Sequence, residues 1–176
     1  NLGSGDDNLV IEGDGFTGYI NGGDGKDIID LSALTGEFSD HVWIYAGEGD
    51  DIIKSYENTG STISGDAGND YVEGGDGNDS VSGGDGDDTI DAGNGDNTIT
   101  GELGNDYLES GGGKDSLFGG SGDDILKAGG GNDVIYGAEG WSGSKASSES
   151  TDIAVFSGAS TDYKLSRATD TNFDYV

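Results

Sequence analysis

From Gly65 onward an aliphatic side chain returns at every ninth residue: Val72, Val81, Ile90, Ile99, Leu108, Leu117, Leu126 and Ile135. Between these lie positions dominated by Gly, Asp and Asn. One inward aliphatic with an outward neighbour on each side is a minimal strand, because side chains alternate across a strand. The six remaining residues of each unit supply a turn, since Gly takes positive φ without steric cost and Asp and Asn tolerate tight turns. The pattern predicts turn, strand, turn, strand, with one coil per 18 residues. Stacked coils give two parallel sheets around a thin aliphatic ladder. The expected fold class is all-β, a parallel β-roll of the solenoid type.

Written from Gly65, the units are GDAGNDYVE, GGDGNDSVS, GGDGDDTID, AGNGDNTIT, GELGNDYLE, SGGGKDSLF, GGSGDDILK and AGGGNDVIY. Position 4 is Gly in all eight, and position 6 is Asp in all but one, where Asn97 stands. Weaker copies (LGSGDDNLV, EGDGFTGYI, GGDGKDIID, AGEGDDIIK) reach back to the N-terminus. The roll is expected over 1–140, regular over 65–137 and irregular over 1–64, with an insertion at about 31–45. Residues 141–176 have another composition, with only Gly143 and Gly158 as glycines. The stretch 144–150 reads as a join, and Ile153-Ala154-Val155-Phe156 with Tyr163, Leu165, Phe173 and Tyr175 as strands of a C-terminal capping segment. Such a cap covers the open edge of a roll, with Trp141 near the junction.

Charge changes the picture. The 176 residues carry 36 acidic against 7 basic side chains, a net charge of −29, with 31% hydrophobic residues. That balance by itself describes a disordered polyelectrolyte. It excludes nucleic acid as a partner, since phosphate is repelled. No Cys is present, so disulfides and thiolate metal sites are excluded, and the single His41 excludes multi-histidine sites. The longest apolar run, Val42-Trp43-Ile44-Tyr45-Ala46, is too short for a membrane helix. No signal-peptide pattern opens the chain, which reads as part of a longer protein.

The nonapeptide G-G-x-G-x-D-x-U-x carried by these units resembles the RTX (repeats-in-toxin, haemolysin-type calcium-binding) repeat, over about residues 2–140. Physical chemistry agrees that such a module needs a cation. One buried aliphatic per nine ordered residues offsets little of the chain entropy, and the carboxylates repel one another in any compact form. Ca²⁺ takes carboxylates and main-chain carbonyls together, whereas Mg²⁺ demands stricter geometry and keeps its water.

The spacing places position-6 residues 18 apart on the same side of the roll. One side reads Asp70, Asp88, Asp106 and Asp124, continuing upstream across the insertions as Asp51, Asp27 and Asp7. The other reads Asp79, Asn97, Asp115 and Asp133, with Ser61, a segment around Ser39-Asp40 and Thr17 upstream. The expectation is a long ladder of up to about six Ca²⁺ on the first side and a short one of about three on the second, six to nine ions in all. Asn97 keeps an oxygen but loses a charge, so its two sites should be the weaker ones. The resemblance implies that turn carbonyls complete each shell. By position these are Gly75 and Gly77, Gly84 and Gly86, Gly93 and Gly95, Gly111 and Gly113, and Gly120 and Gly122, with Gly68 and Gly104 in turns whose second residues are Asp66 and Glu102.

Other motifs carry less. Gly13-Asp14-Gly15-Phe16-Thr17-Gly18 has the letters of a dinucleotide fingerprint but no helix pattern after it. Gly25-Lys26 and Gly113-Lys114 lack the rest of a P-loop, and Asn78-Asp79-Ser80 is a sequon inside a turn. His41 has no nucleophile near it in sequence and reads as a loop residue before a strand. The acids are absorbed by the period, so no carboxylate pair is left for glycosidase chemistry. The chain is expected to be non-enzymatic. Outward positions read as an ordinary solvated sheet. Only Thr98/Thr100 obeys a Thr-x-Thr rule for ice binding, and Tyr71, Tyr107 and Trp43 are candidates for stacking on sugar rings.

The resemblance implies a secreted, extracellular or cell-surface module of a type I secreted bacterial protein, unfolded at cytosolic calcium and folded outside. An adhesin or surface-layer parent is the first expectation. A secreted protease, lipase or haemolysin, or an alginate-epimerase-type enzyme with a polysaccharide-binding roll, are the alternatives. Calcium is the expected partner, with a polysaccharide or cell-surface ligand through the parent, and the module is expected to be monomeric.

Overall fold

A computed structural model describes residues 1–35, 41–56, 60–138, 151–155, 163–165 and 172–175. Ser39-Asp40, Trp141 and the join at 144–150 lie outside the described residues. The chain winds into two nine-stranded parallel sheets, a β-solenoid of about seven turns with coils of about 18 residues and no helix among the described residues.

One sheet is built from longer strands: Gly18–Asp24, Val42–Glu48, Ser61–Ala67, Ser80–Asp85, Thr98–Leu103, Ser116–Ser121 and Asp133–Ala138. The other has three-residue strands: Asn8–Val10, Ile28–Asp30, Ile52–Lys54, Tyr71–Glu73, Thr89–Asp91, Tyr107–Glu109 and Ile125–Lys127. The long strands run on into the following turn, which belongs to the first side of the roll. The short strands lead into the second side.

Register puts like on like. In the long-strand sheet Ile44, Ile63, Val81, Ile99, Leu117 and Ile135 pair in sequence, and each is buried. In the short-strand sheet Ile29, Ile53, Val72, Ile90, Leu108 and Leu126 do the same. These two facing columns form the spine of the core, and Val42 and Ala46 add to it beside Ile44 in the strand Val42–Glu48. A one-residue slip would turn every one of them outward, so the register is strongly specified.

The irregular N-terminal half keeps both sheets and places its extra residues on the second side. Gly13–Asp14 pairs with Leu34–Thr35 outside the main sheets. Leu31, Leu34 and Tyr56 are buried there, with Ile11 and Phe16 packed against them. An apolar plug takes the place that Gly/Asp turns occupy further along. At the other end the backbone of Thr151–Val155 and Asn172–Tyr175 extends the short-strand sheet, and Tyr163–Leu165 extends the long-strand sheet, all in parallel.

Candidate metal centre

Along the first side, the amide of each position-6 residue donates to the carboxylate one coil further on. Asp7 donates to Asp27 Oδ1 at 2.8 Å, Asp27 to Asp51 at 2.6 Å, Asp51 to Asp70 at 2.8 Å and Asp70 to Asp88 at 2.8 Å. Asp88 donates to Asp106 and Asp106 to Asp124, both at 2.9 Å. All seven stand in the order that the spacing assigns, across the insertions. On the second side the column begins at Ser61, which donates to Asp79 Oδ1 at 2.6 Å, and continues through Asn97, Asp115 and Asp133 at 2.9 Å each.

One oxygen of each carboxylate is therefore spent on the coil before it. The Oδ2 atoms of Asp27, Asp51, Asp70, Asp79, Asp88 and Asp106 are buried and have no hydrogen-bond partner. A buried carboxylate oxygen left in this state is costly unless a cation meets it. Burial accordingly pushes the carboxyls of Asp51, Asp70 and Asp106 up to about 6 and those of Asp79 and Asp88 up to about 7, although the donated amide pulls each the other way. Asp115 is raised by burial too.

Position 1 of the repeat turns out to shape this space. A Cβ on Gly83 would lie 2.2 Å from Asp88 Oδ2, and one on Gly101 2.2 Å from Asp106 Oδ2 and 2.4 Å from the carbonyl oxygen of Gly119. The same point is thus faced by a carboxylate oxygen and by a carbonyl of the next coil, a cradle of oxygens that any side chain would fill. On the second side the space is wider: a Cβ on Gly74 would lie 2.8 Å from the Ala92 carbonyl and 3.1 Å from Asp79 Oδ2. Ala92, Ser110 and Ala128 occupy the equivalent positions there, all buried. Ala46 is the exception on the first side.

Positions 2 and 4 carry the carbonyls that the resemblance nominates. Gly68, Gly75, Gly77, Gly84, Gly86, Gly93, Gly95, Gly104, Gly113, Gly120 and Gly122 all have positive φ, and Gly111 does not. Asp66 and Glu102 keep the left-handed turn at φ 72° and 82°. Their side chains accept hydrogen bonds from Ser64 at 2.6 Å and Ser82 at 2.5 Å, outside the stack. The carbonyls of positions 2 and 4 face the same position one coil on: a Cβ on Gly86 would lie 2.0 Å from Gly68 O, and one on Gly95 would also strike Gly77 O. Two nominated carbonyls are already engaged by protein donors. Gly93 O accepts from the Gly111 amide at 2.8 Å and from Asn97 Nδ2 at 3.1 Å, and Gly111 O accepts from the Gly130 amide at 2.8 Å.

Position 5 is a second ladder that the sequence reading passed over. Asn69 Oδ1 accepts the Asp87 amide, Asp87 Oδ1 the Asn105 amide and Asn105 Oδ1 the Asp123 amide, at 2.8, 2.8 and 2.9 Å. These bonds point the opposite way to those of position 6, so the coils from Asn69 to Asp123 are clamped from both directions. Lys26 and Lys114 stand at position 5 and have no acceptor to offer. The recurring Asn/Asp before the position-6 residue was the available signal.

Among the described residues no three acidic or imidazole side chains converge, so a cation here must draw on main-chain oxygens. The residues present fit that requirement for Ca²⁺: buried carboxylate oxygens one per coil beside stacked carbonyls. His41 lies beside Val42 with Nε2 2.7 Å from Thr62 Oγ1 and its ring edge-on to Trp43, with no role in this arrangement.

Neither the curated proteins nor the solved structures compared with the chain gave a match. A family model for the RTX calcium-binding nonapeptide repeat matches four times, over residues 39–55, 59–90, 82–117 and 109–140. With its period, its parallel roll and its columns of buried aspartates, the chain belongs to the RTX calcium-binding nonapeptide repeat family.

Proposed function

We propose that this roll is a calcium-dependent folding module of a secreted protein, unfolded at cytosolic calcium and folded outside the cell. The observation that carries the reading is a buried, unpartnered carboxylate oxygen in successive coils of the first side, at Asp27, Asp51, Asp70, Asp88 and Asp106. In a chain of net charge −29, stacking such groups without counter-charge opposes folding. Bound Ca²⁺ supplies that charge and takes oxygen ligands of both kinds.

The residues that would hold it on the first side are Asp7, Asp27, Asp51, Asp70, Asp88, Asp106 and Asp124. On the second they are Asp79, Asn97, Asp115 and Asp133, with the position-2 and position-4 carbonyls on both sides. About six to nine ions would be accommodated. In the folded roll the column amides orient each carboxylate, and on the first side the glycines of position 1 leave room beside its second oxygen between coils. The apolar plug under the second side of the N-terminal half supports a short second ladder confined to the C-terminal half. A role as structural and secretion-assisting module of an adhesin or surface-layer protein suits a repeat roll that is not a catalytic fold.

Circular dichroism and calorimetry with calcium test the reading. The chain is expected to be unfolded in excess chelator and to fold cooperatively at about 10⁻⁴–10⁻³ M Ca²⁺. A roll that stays folded in chelator at pH 7.5 would overturn it.

A further inference from the structure

The two sheets present opposite surfaces. The outward column of the short-strand sheet carries Asp30, Lys54, Glu73, Asp91, Glu109 and Lys127, tied in part by the ion pairs Lys54–Glu73 and Lys127–Glu109. In the long-strand sheet none of the residues that flank the buried aliphatics, from Tyr19 to Tyr136, is charged. Two carboxylates reach this face, Asp66 accepting from Ser64 and Glu102 from Ser82, while the column Tyr19, Trp43, Thr62, Ser80, Thr98 and Ser116 is itself uncharged.

That face has a definite chemistry. Tyr19 is 61% exposed and Trp43 42%, and they are register neighbours on adjacent strands. Tyr45 stacks on Tyr19 with ring centroids 5.0 Å apart, and His41 braces the Trp43 ring edge-on at 4.8 Å. Beyond this aromatic end the next three strands carry hydroxyls, Thr62, Ser80 and Thr98 in one column and Ser64, Ser82 and Thr100 in the other, where Asp66 and Glu102 hold Ser64 and Ser82, and at the far end Phe118 and Tyr136 stack at 5.1 Å. Neighbouring strands lie about 4.8 Å apart, so aromatic ledge, hydroxyl floor and second aromatic pair span roughly 30 Å along the roll axis.

We propose that this face is a binding site for a neutral linear glycan laid along the axis of the roll. Exposed aromatic faces stack on the C–H faces of sugar rings, and hydroxyl-lined strands exchange hydrogen bonds with sugar hydroxyls. A ligand that is both is a pyranose chain. Charge selects among the candidates: uronate polymers are repelled by the field of a strongly anionic protein, and so is a second copy of this chain, whereas a neutral glycan pays no such penalty. Tyr71 and Tyr107 belong to the other sheet, where their hydroxyls donate to Glu73 and Glu109, so they take no part.

The test uses the Trp141→Phe chain in saturating calcium, where Trp43 is the sole tryptophan. Its fluorescence is titrated with cellohexaose, chitohexaose, laminarihexaose and mannohexaose, with polygalacturonate as the anionic comparator. A saturable change with at least one neutral hexaose is expected. Tyr19→Ala and Thr98→Glu should each weaken it about tenfold, and Tyr71→Ala should leave it unchanged. Circular dichroism confirms that each variant is folded, which keeps the result separate from the calcium reading. No change with any of the four neutral sugars would overturn the proposal. So would equal binding of polygalacturonate, equal weakening by Tyr71→Ala, or a sugar-independent dimer that buries Trp43.

Discussion

The amide of Asp70 donates to Oδ1 of Asp88 at 2.8 Å, eighteen residues along the chain, while Oδ2 of Asp88 is buried with no hydrogen-bond partner. The relationship links coil stacking to cation demand. The same side chain that ties two coils together brings a charge into the stack that the protein's own donors do not answer.

Removing Asp88 should therefore act on both of its neighbours. Asp88→Ala is expected to lower the calcium stoichiometry by two, one site shared with Asp70 and one with Asp106. Isothermal titration calorimetry reads this directly, and an unchanged stoichiometry would contradict the pairing.

Acid should partly replace calcium. Burial raises the folded-state carboxyls of Asp51, Asp70 and Asp106 to about 6 and those of Asp79 and Asp88 to about 7, above the value of 3.8 expected in the unfolded chain. Groups shifted upward contribute stability that is fully present below their unfolded value and lost as pH rises through the folded one. Asp30 and Glu73, lowered by hydrogen bonds from Ser32 and Tyr71, act the other way but lie on the surface. In chelator, then, stability should fall as pH rises from about 4 to about 7, and calcium affinity should rise over pH 6 to 7. Circular dichroism at pH 4.5 and 7.5 in chelator should show more ordered roll at the lower value.

The two sides should respond differently to one methyl group. Gly83→Ala puts a Cβ 2.2 Å from Asp88 Oδ2 and should cost about 2–3 kcal/mol, with a higher calcium midpoint for folding. Gly74→Ala meets its nearest atom at 2.8 Å, at a position where Ala92 and Ala128 already stand one and three coils on, and should cost less than about 1 kcal/mol. Thermal unfolding in saturating calcium compares them. Equal losses would refute the difference between the cradles.

Asn97 supplies its own donor to the Gly93 carbonyl, at 3.1 Å. Asn97→Asp removes that donor and adds a carboxylate between Asp79 and Asp115. Calcium binding on the second side should tighten, and the calcium-free chain should become harder to fold. Calorimetry beside a chelator melt distinguishes this gain from a general change in stability.

Much of this was legible because a solenoid converts spacing into position. A period of nine with one aliphatic per unit leaves a single way to bury Val72, Val81 and their equivalents, and coils of two units then stack position 6 on position 6. Even Asp51, Asp27 and Asp7 could be placed, since the insertions bulge on the second side and leave the first in register. The outer Asn69 ladder and the role of the Gly83 position were not legible, because both depend on how closely one coil approaches the next.

The sequence alone thus determined the repeat, the parallel roll, the membership of both aspartate columns and the acidity that argues for a cation. Tertiary structure decided which oxygen of each aspartate is tied to the preceding coil, and that position 1 borders the other. It also decided that Tyr19, Trp43 and Tyr45 come together on the outer face of one sheet. The physical reason is that period dictates which residues lie above one another. Hydrogen-bond direction, oxygen crowding and ring stacking arise only at the separation the packed coils adopt.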